Sequence, residues 1–198
     1  MSVKRLVVTM LVGGVMTLPA AFAQDESEHK SEVVVQATGS FVHATEENGV
    51  RQSATNSGGV LGTYRWYFHH NHGVEFDYGW SRNTQKFELG GTSAGFKTNV
   101  HEATAAYVLR FPMRRLTPFA LAGAGTLVFD RENNASAQAR PAFVYGAGVD
   151  WSLTSRAFLR AQYRGQVYNA PDFELSALNT AGRITHRVQP SVGFGFRF

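Results

Sequence analysis

The chain has 198 residues, with 19 Lys and Arg against 15 Asp and Glu and no cysteine. It fits a single domain and has no disulfide staple, thiol catalysis or thiolate metal site. The formal charge of +4 falls to +2 (17 basic against 15 acidic residues) once Lys4 and Arg5 are assigned to a removable leader, and the remaining excess is unclustered, so nucleic acid is a poorly supported partner.

Lys4 and Arg5 are followed by an apolar run from Leu6 to Leu18 and then by Ala21-Phe22-Ala23, the layout of a secretory signal peptide. The run is shorter than the roughly 20 residues that cross a bilayer as a helix. Residues 1–23 are therefore predicted to be cleaved, with Gln24 as the mature terminus. Residues 24–31 (QDESEHKS) are charged and poor in apolar groups and read as a flexible leader. Residues 32–198 form the one remaining domain.

From Glu32 onward the hydrophobic period is two, which predicts strands near 32–43, 58–69, 73–83, 98–111, 117–129, 141–152, 156–168 and 184–198. In the third, Val74, Phe76, Tyr78 and Trp80 alternate with Glu75, Asp77, Gly79 and Ser81. In the seventh, Leu159, Ala161, Tyr163 and Val167 alternate with Arg160, Gln162, Arg164 and Gln166. In the last, Val192, Phe194, Phe196 and Phe198 alternate with Ser191, Gly193, Gly195 and Arg197. The connections alternate as well. Long ones run over Ala44–Ser57, Thr84–Lys97, Asp130–Arg140 and Asn169–Arg183, and short ones over His70–His72, Pro112–Leu116 and Thr154–Ser155. Short periplasmic turns and long outer loops are what a transmembrane barrel requires.

Alternation alone also fits a soluble barrel, so the polar face decides. It carries Arg65, Glu75, Asp77, Glu102, Arg110, Asp150, Arg160, Arg164, Arg187 and Arg197, among small residues such as Gly79, Thr104, Gly146 and Gly148. Only three lysines lie beyond residue 23, none in the middle of a predicted strand. Guanidiniums with carboxylates suit paired charges in a confined interior, and the expected arrangement is a structural charge network in the lumen. Ten aromatics of the apolar face (Phe41, Trp66, Phe68, Trp80, Phe111, Phe119, Phe129, Phe143, Trp151 and Phe198) fall near strand ends, as two interfacial girdles would.

With its signal peptide, eight two-period strands, alternating loop lengths and the ending Val192-Gly193-Phe194-Gly195-Phe196-Arg197-Phe198, the chain resembles the small outer-membrane β-barrel superfamily typified by outer-membrane protein A. The stretch Pro118-Phe119-Ala120-Leu121-Ala122-Gly123-Ala124-Gly125 resembles a strand common there. The resemblance implies an all-β, eight-stranded antiparallel up-and-down transmembrane β-barrel in the outer membrane. It further implies contact with outer-membrane lipid and lipopolysaccharide. Val192, Phe194, Phe196 and Phe198 would be the signal read by the barrel-assembly machinery.

Other chemistry has weaker support. His69, His70 and His72 suggest a weak metal site, but neighbours on a strand point to opposite faces, and a polar periplasmic turn is the preferred reading. Barrels resembling lipid A deacylases place histidine two residues before serine. Here His43 precedes Thr45, His101 precedes Ala103 and His186 precedes Val188. Glu75 and Asp77 share a face and could do acid/base work, although structural pairing with arginine is favoured. The Gly90–Gly95 run lacks the lysine of a phosphate loop and reads as a flexible outer loop. The last long loop holds Phe173, Leu175 and Leu178, which cap the barrel mouth or grip an extracellular ligand. The expected function is a structural or surface-interaction barrel, not an enzyme, with no cofactor and no metal. A lipid-modifying enzyme, a narrow solute channel and a soluble lipocalin-like binder remain open.

Overall fold

A computed structural model of the chain describes residues 30–42, 45–47, 50–89, 92–131, 137–169 and 184–198. Its strands are β1 (Ser31–Val42), β2 (Thr45–Glu47), β3 (Val50–Ala54), β4 (Ser57–His69), β5 (His72–Leu89), β6 (Thr92–Arg110), β7 (Leu116–Arg131), β8 (Gln138–Ser152), β9 (Ala157–Asn169) and β10 (Ile184–Arg197). Eight of them close into a barrel. β1 pairs with both β4 and β10, and the antiparallel ladder continues through β5, β6, β7, β8 and β9. Each of the eight predicted strands corresponds to one barrel strand.

Closure fixes the tilt. From Glu32 the register runs through Arg65, Glu75, Ala106, Gly123, Val144, Gln166 and Arg187, and returns to β1 at Val42, ten residues further on. A stagger of this kind tilts strands by roughly 35–45° and, with eight strands, leaves an interior just wide enough for side chains.

Side chains are distributed inside out. Arg65, Glu75, Asp150 and Arg164 are fully buried, while Val35, Val60, Phe76, Trp151 and Val192 lie exposed on the outer wall. A soluble barrel turns the opposite faces to water. Among the aromatics assigned to the outer girdles, Phe41, Trp66, Phe68, Trp80, Phe111, Phe143, Trp151 and Phe198 are exposed. Phe119 and Phe129 are not. Both are buried in the lumen, with Leu121 and Leu127 of the same strand. Both faces of β7 are apolar, and its smaller Ala120, Ala122 and Ala124 face outward, so residue type did not mark the inner side. The ring of Phe119 occupies the space above Gly148, where a Cβ would stand 2.5 Å from it.

The second long connection is not a loop. Thr84–Leu89 and Thr92–Lys97 extend β5 and β6 as a paired hairpin, and both Lys86 and Lys97 therefore lie within strands. The first long connection contains β2 and β3. β3 prolongs the line of β4 along β5, with a one-residue shift between Ala54↔Gln85 and Gly59↔Ser81. Beyond the barrel, β2, β3, β5 and β6 thus continue as a four-stranded sheet. Of the Gly90–Gly95 run, Thr92–Gly95 belong to β6. Gly90, Gly91, the signal peptide, most of the leader, His43 and the loop residues Phe173, Leu175 and Leu178 lie outside the described residues.

Candidate functional site

The lumen gathers the charges in two layers. β4 and β5 form the short-turn layer because Arg65 and Glu75 are register partners. Arg65 donates from Nε to Glu75 Oε2 at 2.8 Å, and its Nη2 reaches the same oxygen. Arg160 of β9 clasps Asp150 of β8 with two bonds of 2.7 Å, the bidentate geometry that a planar guanidinium favours. Glu32 of β1 sits between them, accepting from Arg160 at 3.0 Å and from Arg197 at 3.0 Å, with Arg65 at 3.7 Å. The ring of Phe119 supports both cations, 4.1 Å from Arg65 and 4.8 Å from Arg160, a favourable cation–π placement.

The outer layer centres on Arg164 of β9. It bridges Glu102 at 2.9 Å and Asp77 at 3.2 Å, while Thr63 and Thr104 donate to Asp77 at 2.6 and 2.9 Å. Glu102 also accepts from Gln166 and Gln189 at 3.1 and 3.2 Å and lies 3.3 Å from Arg187. Arg187 donates to Ser40 at 2.7 Å. Within the short-turn layer Arg160 also approaches Glu75, at 3.5 Å. Nine of the ten residues expected in the network belong to these two layers, Arg197 being the least buried of them. Arg110 behaves differently: it stacks 3.7 Å from the Tyr67 ring and donates to the His70 carbonyl at 2.7 Å.

Sequence reasoning missed Glu32, which faces all three arginines of the short-turn layer. The signal was the phase of its own strand, since Gln36, Thr38 and Ser40 point the same way and are buried. It also missed Gln36 and Gln189, which are buried in the lumen with Gln162 and Gln166 of the polar face of β9. Including Glu32, the arginines and acids stand at six to five among the described residues. One wall, contributed by β6, β7 and β8, is apolar instead of charged, with Val108, Phe119, Leu121 and Val144 packed together.

The histidines lie elsewhere. His69 and His72 flank the His70-Asn71 turn, and His72 bonds to Tyr107 on the outer wall. His101 and His186 also face outward, 2.9 and 2.8 Å from the hydroxyls of Tyr78 and Tyr145, so neither shares the lumen with the carboxylates. Val192, Phe194, Phe196 and Phe198 form an exposed apolar row on β10.

Residues 8–198 match the family described as outer membrane protein beta-barrel domain. No curated protein matches the chain. Among solved structures, Neisserial surface protein A is 12% identical with a TM-score of 0.64, covering 85% of this chain and 97% of that one. OprG from Pseudomonas aeruginosa is 15% identical at 0.59, covering 85% and 96%. Ail, the attachment invasion locus protein of Yersinia pestis, is 20% identical at 0.54, covering 87% and 100%. These likenesses show the fold.

Proposed function

Because the chain belongs to the outer membrane protein beta-barrel family and resides in the outer membrane, we propose that it is a non-conducting anchor that holds an interaction surface outside the cell. The two-layer lattice of arginines and carboxylates carries this reading, for it draws side chains from β1, β4, β5, β6, β8, β9 and β10 across the lumen. Each charge has been taken out of water and is held by partners, so an ion could pass only by breaking several bonds in a low-dielectric interior. The carboxylates are engaged by guanidiniums, and among the described residues no histidine base stands beside them. The sheet of β2, β3, β5 and β6 supplies the interaction surface. β5 and β6 have 18 and 19 residues, against the roughly 9–11 that a tilted strand needs to cross a bilayer. In this reading residues 1–23 direct export, Gln24 begins the mature chain, and the apolar row of β10 recruits the barrel-assembly machinery.

Planar-bilayer recording of the purified, folded monomer tests the reading. We expect no sustained conductance, and large stable channels from the monomer would establish a solute pore in its place.

A further inference from the structure

The short-turn end of the barrel combines two features that water alone does not explain. The β6–β7 turn reads Pro112-Met113-Arg114-Arg115, and the β8–β9 turn reads Leu153-Thr154-Ser155-Arg156. Met113 is 61% and Leu153 50% exposed at these tips, beside the exposed Leu116 and Trp151. Arg114, Arg115 and Arg156 are exposed too, and none of the three has a side-chain partner among the described residues. The acids that precede them most closely in the chain, Glu102 and Asp150, are buried in the lumen lattice.

The turns are also fixed in place. Ser152 donates its backbone N–H to the Arg115 carbonyl at 2.8 Å, and Arg197 donates likewise to Arg156 at 2.8 Å. Two adjacent turns therefore present their cations on one rim, held by the sheet instead of by a mobile loop.

We propose that this rim is a binding site for phospholipids with an anionic phosphodiester headgroup, in the leaflet that the short turns face. Exposed Met, Leu and Trp beside guanidiniums match a headgroup–acyl boundary, where the apolar tips enter the acyl region and the cations reach phosphate. A saccharide–peptide polymer would satisfy the charges and leave the apolar tips in water. The assignment rests on the short turns facing the periplasm and is independent of whether the lumen conducts.

Native mass spectrometry of the full mature chain, released from a neutral detergent, tests it with equal amounts of phosphatidylglycerol and phosphatidylcholine. The wild type should retain phosphatidylglycerol preferentially, and the preference should fall as salt is raised. Changing Arg114, Arg115 and Arg156 together to Gln should reduce the preference by about fivefold per arginine, the effect of one basic residue near an anionic surface. The corresponding Lys variants should keep most of it, and Arg82→Gln on the opposite rim should leave it unchanged. Heat-modifiable migration on gels establishes that each variant is folded. If the triple Gln variant does not fold, Arg156→Gln alone is read, with about a fivefold loss expected. The proposal is overturned by an unchanged preference in the folded Gln variant, by an equal loss in Arg82→Gln, by a wild type without preference, or by a muropeptide that displaces phosphatidylglycerol at equal concentration.

Discussion

At the residue scale, the lumen charges are a set of dependencies. Removing Glu75 leaves Arg65 buried without its closest partner, and removing Glu32 strips Arg160 and Arg197 of an acceptor each. Breaking one side of a buried pair costs about 3–5 kcal/mol, because the orphaned ion keeps its desolvation penalty. Glu75→Ala and Glu32→Ala should each destabilise the barrel by that order in equilibrium urea unfolding. Lys97→Ala, at an exposed strand position, should stay within about 0.5 kcal/mol. Equal stability of all three would mean that water reaches the lattice freely. The arginines and most of the acids were legible because charges alternated with large apolar residues on one strand. Glu32 was not, since it opens its strand directly after a charged leader, where composition says loop and only the phase of Gln36 and Ser40 says lumen.

At the element scale, what the sequence displays depends on what surrounds a strand. Membrane-embedded strands have lipid on one face and packed charge on the other, so their period of two was visible. The outer parts of β5 and β6 pair beyond the barrel, where backbone hydrogen bonds suffice and neither face must be apolar. Residues 84–89 and 92–97 therefore carry the composition of a loop while pairing as strands. In β7 the ambiguity has another source, because Phe119 and Phe129 fill space left by glycines and small residues instead of meeting lipid. β10 is the closing element, paired with β1 from Glu32↔Arg197 to Val42↔Arg187. Its exposed Phe196 and Phe198 lie at the end where Phe198 pairs with Ser31 of β1. Deleting Phe198, or replacing Phe196 and Phe198 with Ser, should sharply lower the yield of heat-modifiable barrel in cell envelopes. Normal yields would remove β10 from the assembly argument.

At the scale of the whole molecule, the two rims differ in composition and length, and in the proposed reading they face opposite compartments. One rim has three short turns, and Ser31 exchanges backbone hydrogen bonds with Phe198 there. The other carries the sheet of β2, β3, β5 and β6. Barrels of this class keep short turns in the periplasm and long loops outside, which the chain needs if its outer sheet is to meet a partner. The absence of cysteine makes this directly measurable, since any introduced thiol is the only one. Glu46→Cys lies in β2 of the outer sheet and Ser155→Cys in the exposed β8–β9 turn. A membrane-impermeant maleimide added to intact cells should label the cysteine at 46 and spare that at 155, with both labelled once the envelope is opened. Labelling of 155 alone in intact cells would invert the barrel and turn the proposed interaction surface toward the periplasm. It would also place the basic rim among outer-leaflet lipids, so the one measurement bears on where each end of the molecule finds its partner.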